Sequence, residues 1–168
     1  MRLVLRPHDP SDVDDVLAYA SDPIWHQYSL NIPSPYDKQD AIDFVRQAVT
    51  TDWDMHPMWA VIVADKVIGG VNIHFFHGHE SAEIGYGVAR SHWGQGLTTE
   101  AMSAVLNAAF QVYTNLLHVC ARADAANTGS VRVMQKLGLR HESTSHAGRL
   151  MRGQLRDEVV YGIMRPEW

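Results

Sequence analysis

A change of hydrophobic period around residue 90 does most to limit what this chain can fold into. From Ser81 to Val88, Ala82, Ile84, Tyr86 and Val88 alternate with Glu83, Gly85 and Gly87. A period of two predicts a strand with one apolar face and one nearly bare face around a single carboxylate. Gly94-Gln95-Gly96 follows, after which Leu97, Ala101, Ala104, Val105 and Ala108 fall along one helical stripe. A sheet that carries helices on its faces satisfies both periods at once.

The remaining segments fit that plan. A short strand is expected over Arg2–Arg6, then a helix opened by Pro10-Ser11-Asp12 with Val13, Val16, Leu17 and Ala20 on one side. Ser34-Pro35 reads as an N-cap with proline at the first helical position, leading to Ile42, Val45 and Val49. Between these helices Ser21 to Pro33 carries Pro23, Trp25, Tyr28 and Asn31, an irregular aromatic stretch that reads as a loop over the core or as a substrate lid. Trp59–Val63 and Val67–Phe75 read as a hairpin around Ala64-Asp65-Lys66, and the turn His77–Glu80 leads into the alternating strand. Leu116–Arg122 is a further strand. Asn127 or Ser130 opens a helix with Val131, Met134 and Leu137 buried and Gly138 as its left-handed cap, and Leu155–Met164 closes the chain as a strand. The expectation is an α/β fold with a mixed sheet, and 168 residues without repeats or linkers make one domain, residues 1–168.

Charge and composition exclude several functions. Fourteen Lys and Arg against 19 Asp and Glu give a net charge of −5, so the molecule lacks the basic field behind non-specific nucleic-acid binding. Charges interrupt each apolar run before it could span a bilayer, so no membrane partner is expected and the location is taken as cytoplasmic. Cys120 is the one cysteine, which excludes an internal disulfide and fits a reducing compartment. Its place in an apolar strand reads as a packed thiol. Among ten histidines, His74, His77 and His79 are the tightest group, but no known metal-ligand spacing appears and no metal is expected.

Chemistry concentrates at Gly94-Gln95-Gly96-Leu97-Thr98-Thr99. Glycines let a backbone approach a ligand closely, and the free amides at a helix N-terminus converge on one point with the positive end of the dipole behind them. This is an anion cradle. No Gly-Lys-Ser/Thr follows as in a Walker loop, and Thr99 stands where a dinucleotide fingerprint has its third glycine.

Four segments carry a family resemblance in the right order. They are Leu5-Arg6-Pro7 with its acidic helix, Ala82-Glu83-Ile84-Gly85-Tyr86, Trp93-Gly94-Gln95-Gly96-Leu97-Thr98-Thr99-Glu100-Ala101, and Asn127-Thr128-Gly129-Ser130 through Gly138. Together they resemble the GNAT N-acetyltransferases, and within them the RimJ/RimL-like branch that acetylates protein N-termini and assorted small amines. The resemblance implies the acyl-CoA N-acyltransferase fold: a mostly antiparallel sheet, splayed at one parallel pair formed by Ser81–Val88 and Leu116–Arg122, with helices on both faces. It implies that acetyl-CoA, the acyl donor, lies in that splay. The amides of Gln95, Gly96, Leu97, Thr98 and Thr99, with Trp93 and Gly94 ahead of them, would hold its pyrophosphate. The backbone of Tyr86, Gly87, Val88 and Ala89 would pair with its pantetheine arm, and Asn127 would bond the arm from the other side. Trp93 departs from the Gln or Arg usual at the first position of that motif.

The expected reaction is direct attack of a neutral primary amine on the thioester through a tetrahedral intermediate. It needs a proton acceptor, an amide facing the oxyanion and a donor near the sulfur. Glu83 shares a face with Gly85 and Gly87 and is the candidate base; an ion pair with a neighbouring Arg explains it equally well. The Val88 amide is the candidate oxyanion donor. Ser130 resembles the hydroxyl this branch offers to the sulfur, and helix capping is its other explanation. Arg132 or Lys136 could meet phosphates. Glu100 and Asp157 match carboxylates typical of the branch but have ordinary roles available, and the segment after the last motif helix offers only His146 where some relatives place a carboxylate. The acceptor is a protein or peptide N-terminal amine or a small-molecule amine, and a homodimer is preferred. The alternative is an acyl-CoA-binding sensor or interaction module with little turnover.

Overall fold

The computed structural model describes residues 2–29 and 32–168. Asn31, named above within the Ser21–Pro33 stretch, lies outside them. The chain runs β1 (Val4–Pro7), α1 (Val13–Ala20), α2 (Lys38–Val49), β2 (Met58–Val63), β3 (Lys66–Phe76), β4 (Ser81–Val88), α3 (Leu97–Val112), β5 (His118–Asp124), α4 (Thr128–Lys136), β6 (Arg140–Met151) and β7 (Gln154–Met164). Three single 3-10 turns, Pro10–Asp12, Arg90–His92 and Arg165–Glu167, join them. The sheet has the order β1-β2-β3-β4-β5-β7-β6, and β4–β5 is its parallel pair. No helix among the described residues is long and apolar enough to cross a membrane.

The period change at residue 90 is realised as expected. The even face of β4, Ala82, Ile84 and Val88, joins Val61, Val71, Ile73, Phe75, Val119 and Ala121 beneath Leu97, Ala101, Met102, Val105 and Leu106 of α3 and Met134 of α4. On the opposite face, α1 and α2 bury Val16, Tyr19, Ala20, Ala41 and Val45 against Ala60 and Val67 of the β2–β3 hairpin. The centre of that second face, around β4 and β5, carries Glu83, whereas Ser130 and the Gly94–Thr99 cradle belong to the side of α3 and α4.

Two elements differ from expectation. The second helix starts at Lys38, three residues after Pro35. Asp37 accepts the amides of Gln39 and Asp40 at 2.8 and 3.1 Å, and Asp40 returns the bond to the Asp37 amide at 2.9 Å. That reciprocal box satisfies orphan amides that Ser34 would have left to a single hydroxyl. The second difference is β6, a twelve-residue strand where no strand was expected. It is exposed over nearly its whole length and is interrupted by register shifts at His141/Ser143 and Ser145/Arg149, so it has no apolar alternation to read. Backbone pairing with β7 makes it a strand.

The N-terminal strand is tied to α1 through Asp12, which is buried. Its carboxylate accepts Arg6 in a two-pronged pair at 2.6 and 2.8 Å and the Asp9 amide at 2.8 Å. Burial works against the charge, but the bonds from Arg6 and Asp9 outweigh it and hold the carboxyl below its ordinary range. A carboxyl lowered in this way contributes stability above its unfolded value and loses it as pH falls through its folded value. Asp12→Asn is therefore expected to cost about 1–3 kcal/mol in urea unfolding at pH 7. The gap to wild type should close as the pH is taken below about 4.

Candidate active site

The site begins where two strands part company. Strand β4 pairs with β5 only from Ser81↔His118 through Glu83↔Cys120. Beyond that, β4 stays with β3 as far as Gly69↔Val88, whereas β5 stays with β7 as far as Asp124↔Glu158. Each strand follows its antiparallel partner, and a cleft opens between them. The Ala89 amide donates to Ile68 O at 2.6 Å. Because antiparallel residues alternate in the direction of their backbone groups, the N–H and C=O of Val88 and Tyr86 point the other way, into the cleft.

At the mouth of the cleft lies the cradle. Gly94 and Gly96 have φ of +72° and +78°, and a Cβ built on either would meet nothing within 4 Å. Gly96 sits at the N-cap of α3 with no side-chain cap, and the first helical bond is Glu100 N–H to Gly96 O at 3.0 Å. The amides of Leu97, Thr98 and Thr99 precede that bond and have no helical partner of their own. Leu97 turns its side chain into the core, so only its amide is available outside. Positive φ, open space and unpartnered amides with a helix dipole behind them suit a phosphorylated ligand. Arg2, which the sequence did not single out, stands beside this loop, donating to Gln95 O at 2.6 Å and pairing with Glu100 at 3.2 Å. Arg132 and Lys136 are exposed on α4.

Ser130 and Asn127 sit across the cleft at the start of α4. Asn127 caps the helix by accepting the Ser130 amide at 3.1 Å. The Ser130 hydroxyl lies 3.0 Å from the Tyr86 hydroxyl, and Tyr86 also reaches Ser130 O at 3.1 Å. Burial pushes the Tyr86 phenol up to about 12, against the smaller opposing effect of Ser130. Tyr86 is thus a proton-bearing group at neutral pH, and the two hydroxyls act as a pair.

Glu83 lies on the opposite face of β4, as the alternation required. It pairs with Arg122 of β5 at 3.1 Å, so the ion-pair explanation describes its resting state. Arg122 also reaches Glu158 at 3.5 Å, and Glu158 binds Arg149 at 2.6 Å, a chain of alternating charge from β4 to β6. Cys120 is Glu83's neighbour across the pair. Burial and then Glu83 raise its thiol to about 11, which leaves it neutral and a poor nucleophile.

The face that looked bare in the sequence is furnished by other segments. A Cβ on Gly85 would lie 2.8 Å from Nδ2 of Asn72, and one on Gly87 would lie 3.0 Å from the Trp25 ring. Asn72 and His74 were the legible signal: two polar residues at alternate positions of an otherwise apolar run. His74 stacks on His56, whereas His79 stacks on Tyr113, so the histidine group of the sequence is divided between different partners. Among the described residues, no cluster of three ligating side chains is placed to hold a metal. Asp157 holds the β6–β7 pair, accepting the Ala147 amide at 2.9 Å with His146 at 3.1 Å. Those two contacts, the amide first, keep its carboxyl below the usual range.

The close approach of β3 to the end of β4 depends on Gly69, where an added Cβ would fall 2.1 Å from Gly87 O and 2.7 Å from Val88 Cα. Gly69→Ala should force the strands apart at the mouth of the cleft and cost roughly 1–3 kcal/mol, measured as a lowered urea midpoint.

Residues 2–140 match the family described as Acetyltransferase (GNAT) domain. The chain is 28% identical to the uncharacterized N-acetyltransferase p20 of Bacillus licheniformis over 173 aligned residues, covering 99% of this chain and 95% of that protein. A GNAT-family acetyltransferase of Bacillus anthracis superposes with a TM-score of 0.88 at 25% identity, over 99% of this chain and 97% of that one. RimL, the ribosomal L7/L12 α-N-protein acetyltransferase solved with coenzyme A, shares the fold with a TM-score of 0.86 at 18% identity, over 98% of this chain and 94% of its own. The matched span includes the divergence of β4 from β5, the glycine cradle and the first turn of α4, and the chain belongs to the GNAT acetyltransferase family.

Proposed function

We propose that this acetyltransferase moves the acetyl group of acetyl-CoA directly to a primary amine, and that its acceptor is a protein or peptide N-terminal amine or a small-molecule amine. One observation carries the reading: the cleft-facing backbone edge of Tyr86 and Val88 runs toward three helix-start amides that lack partners. An amide-bearing arm can extend the sheet along that edge while a diphosphate takes the cradle. The residues present fit the donor. Acetyl-CoA supplies an activated acyl carbon and a thiolate leaving group; the protein orients, deprotonates and stabilises.

Glu83 is proposed to accept the ammonium proton, directly or through water, with Arg122 fixing the carboxylate in place. The Val88 amide is proposed to face the developing oxyanion, a contact of the kind worth about 3–4 kcal/mol when removed from other acyl-transfer enzymes. The Ser130–Tyr86 hydroxyl pair is proposed to protonate the departing sulfur. The RimJ/RimL-like reading of the acceptor is supported by the four ordered motifs and by the likeness to RimL, whose own substrate is a protein α-amine. The net charge of −5 favours cationic acceptors of either kind.

Thiol release from acetyl-CoA with a panel of N-terminal peptides and small amines tests the reading, and at least one acceptor should raise it well above hydrolysis. Tight cofactor binding with no acceptor-dependent thiol would instead favour a sensor. Glu83→Gln is expected to lower kcat by about 10²–10⁴-fold, most severely at low pH, with cofactor affinity unchanged. An unaltered kcat across pH removes Glu83 from the reaction.

A further inference from the structure

The Val88 carbonyl, which points into the cleft, is already bonded twice. Trp93 Nε1 donates to it at 2.8 Å, and so does Trp25 Nε1. A carbonyl oxygen has two lone pairs, so an incoming amide finds both directions taken. Trp93 belongs to the segment that leads into the cradle, only five residues from Val88. Trp25 arrives from 63 residues away, on the stretch between α1 and α2, and its ring occupies the space left by the missing Gly87 side chain.

That stretch is tied to both halves of the site. On the cofactor side, Asp22 pairs with Arg90 at 2.7 Å, just after β4. On the other side the β6–β7 hairpin grips it: Arg152 donates to Nδ1 of the buried His26 at 2.9 Å, and Arg156 lies over the Tyr28 ring at 5.9 Å. Trp25 stands between these anchors, in an edge-to-face contact with Tyr19 whose ring centroid is 5.0 Å away.

Resting on the acetyl-transfer reading, we infer that Trp25 is a positioning residue linking the two substrate sites: it holds the Val88 carbonyl in the free protein and yields it to an amide of the cofactor arm. Its ring then leaves Gly87, which shares a face of β4 with Glu83, and the Asp22–Tyr28 stretch shifts with it. Occupation of the cleft by the donor is thereby communicated to the acceptor side through one indole N–H. Trp25→Phe removes that N–H together with the pyrrole part of the indole; 3-benzothienylalanine placed at position 25 alone keeps the bicyclic shape and removes only the N–H, which separates the hydrogen bond from the packing.

The test uses the full chain and coenzyme A. With 5-fluorotryptophan incorporated and its five resonances assigned by single Trp→Phe variants, saturating coenzyme A should shift the Trp25 signal. Hydrogen exchange across residues 22–28 should change in the same titration. By calorimetry, the protein with 3-benzothienylalanine at position 25 should bind coenzyme A about 3–10-fold more tightly, as expected from removing a competing hydrogen bond of ordinary strength. An unmoved Trp25 resonance, unchanged exchange over 22–28, or equal or weaker binding by the benzothienylalanine protein would each overturn the inference while acetyl transfer stands. Failure of the wild-type protein to take up any coenzyme A would bring down the acetyl-transfer reading itself, and this inference with it.

Discussion

Backbone hydrogen bonding at the junction of β4 and β5 governs the rest of the structure. Buried amides and carbonyls need partners, and a sheet normally supplies them along the full length of a strand. Here the parallel ladder stops at Glu83↔Cys120, because each strand is held more extensively by its antiparallel neighbour on the other side. The remaining edge of β4 is left with groups that must find other partners. Two indoles satisfy Val88 O, and the proposed pairing of the donor's arm along this edge would satisfy the rest. The glycine cradle is the same situation at the end of a helix, where the first amides have no acceptor within the helix.

The two faces of the split sheet then take different duties. The face toward α3 and α4 is apolar, and its contribution to the cleft is the Tyr86–Ser130 hydroxyl pair, in which burial raises the Tyr86 phenol further above neutral pH. The other face keeps its helices over the β2–β3 end, which leaves Glu83, Arg122 and Asn72 to define a polar floor. On the proposed reading, the thiol leaves on one side of this strand and the amine arrives on the other. Val88 turns its backbone groups into the cleft between β4 and β5.

Much of this was legible in the letters, and the failures have physical causes. Alternation in Ser81–Val88 placed Glu83, Gly85 and Gly87 together, and Gly138 does adopt the left-handed conformation expected of a helix cap. Strand β6 was not legible because an exposed edge strand has no hydrophobic period, and its pairing partner cannot be read from its own residues. The start of α2 was misplaced because Ser34-Pro35 is a respectable helix opening, yet the paired carboxylates of Asp37 and Asp40 cap more amides. Trp25 was seen as an aromatic in an irregular stretch, but nothing local ties it to a carbonyl 63 residues away.

The sequence by itself determined the periods, the caps and the glycine positions, since these depend on residues only a few places apart: which faces are apolar, where helices begin, where a backbone can turn left-handed. Only the tertiary structure decided which groups meet across the splay. The pairing of Glu83 with Arg122, of Tyr86 with Ser130, and of Trp25 with Val88 joins segments 39, 44 and 63 residues apart. Such contacts depend on where the sheet stops pairing, and that is settled by the competition among all its strands rather than by any one of them.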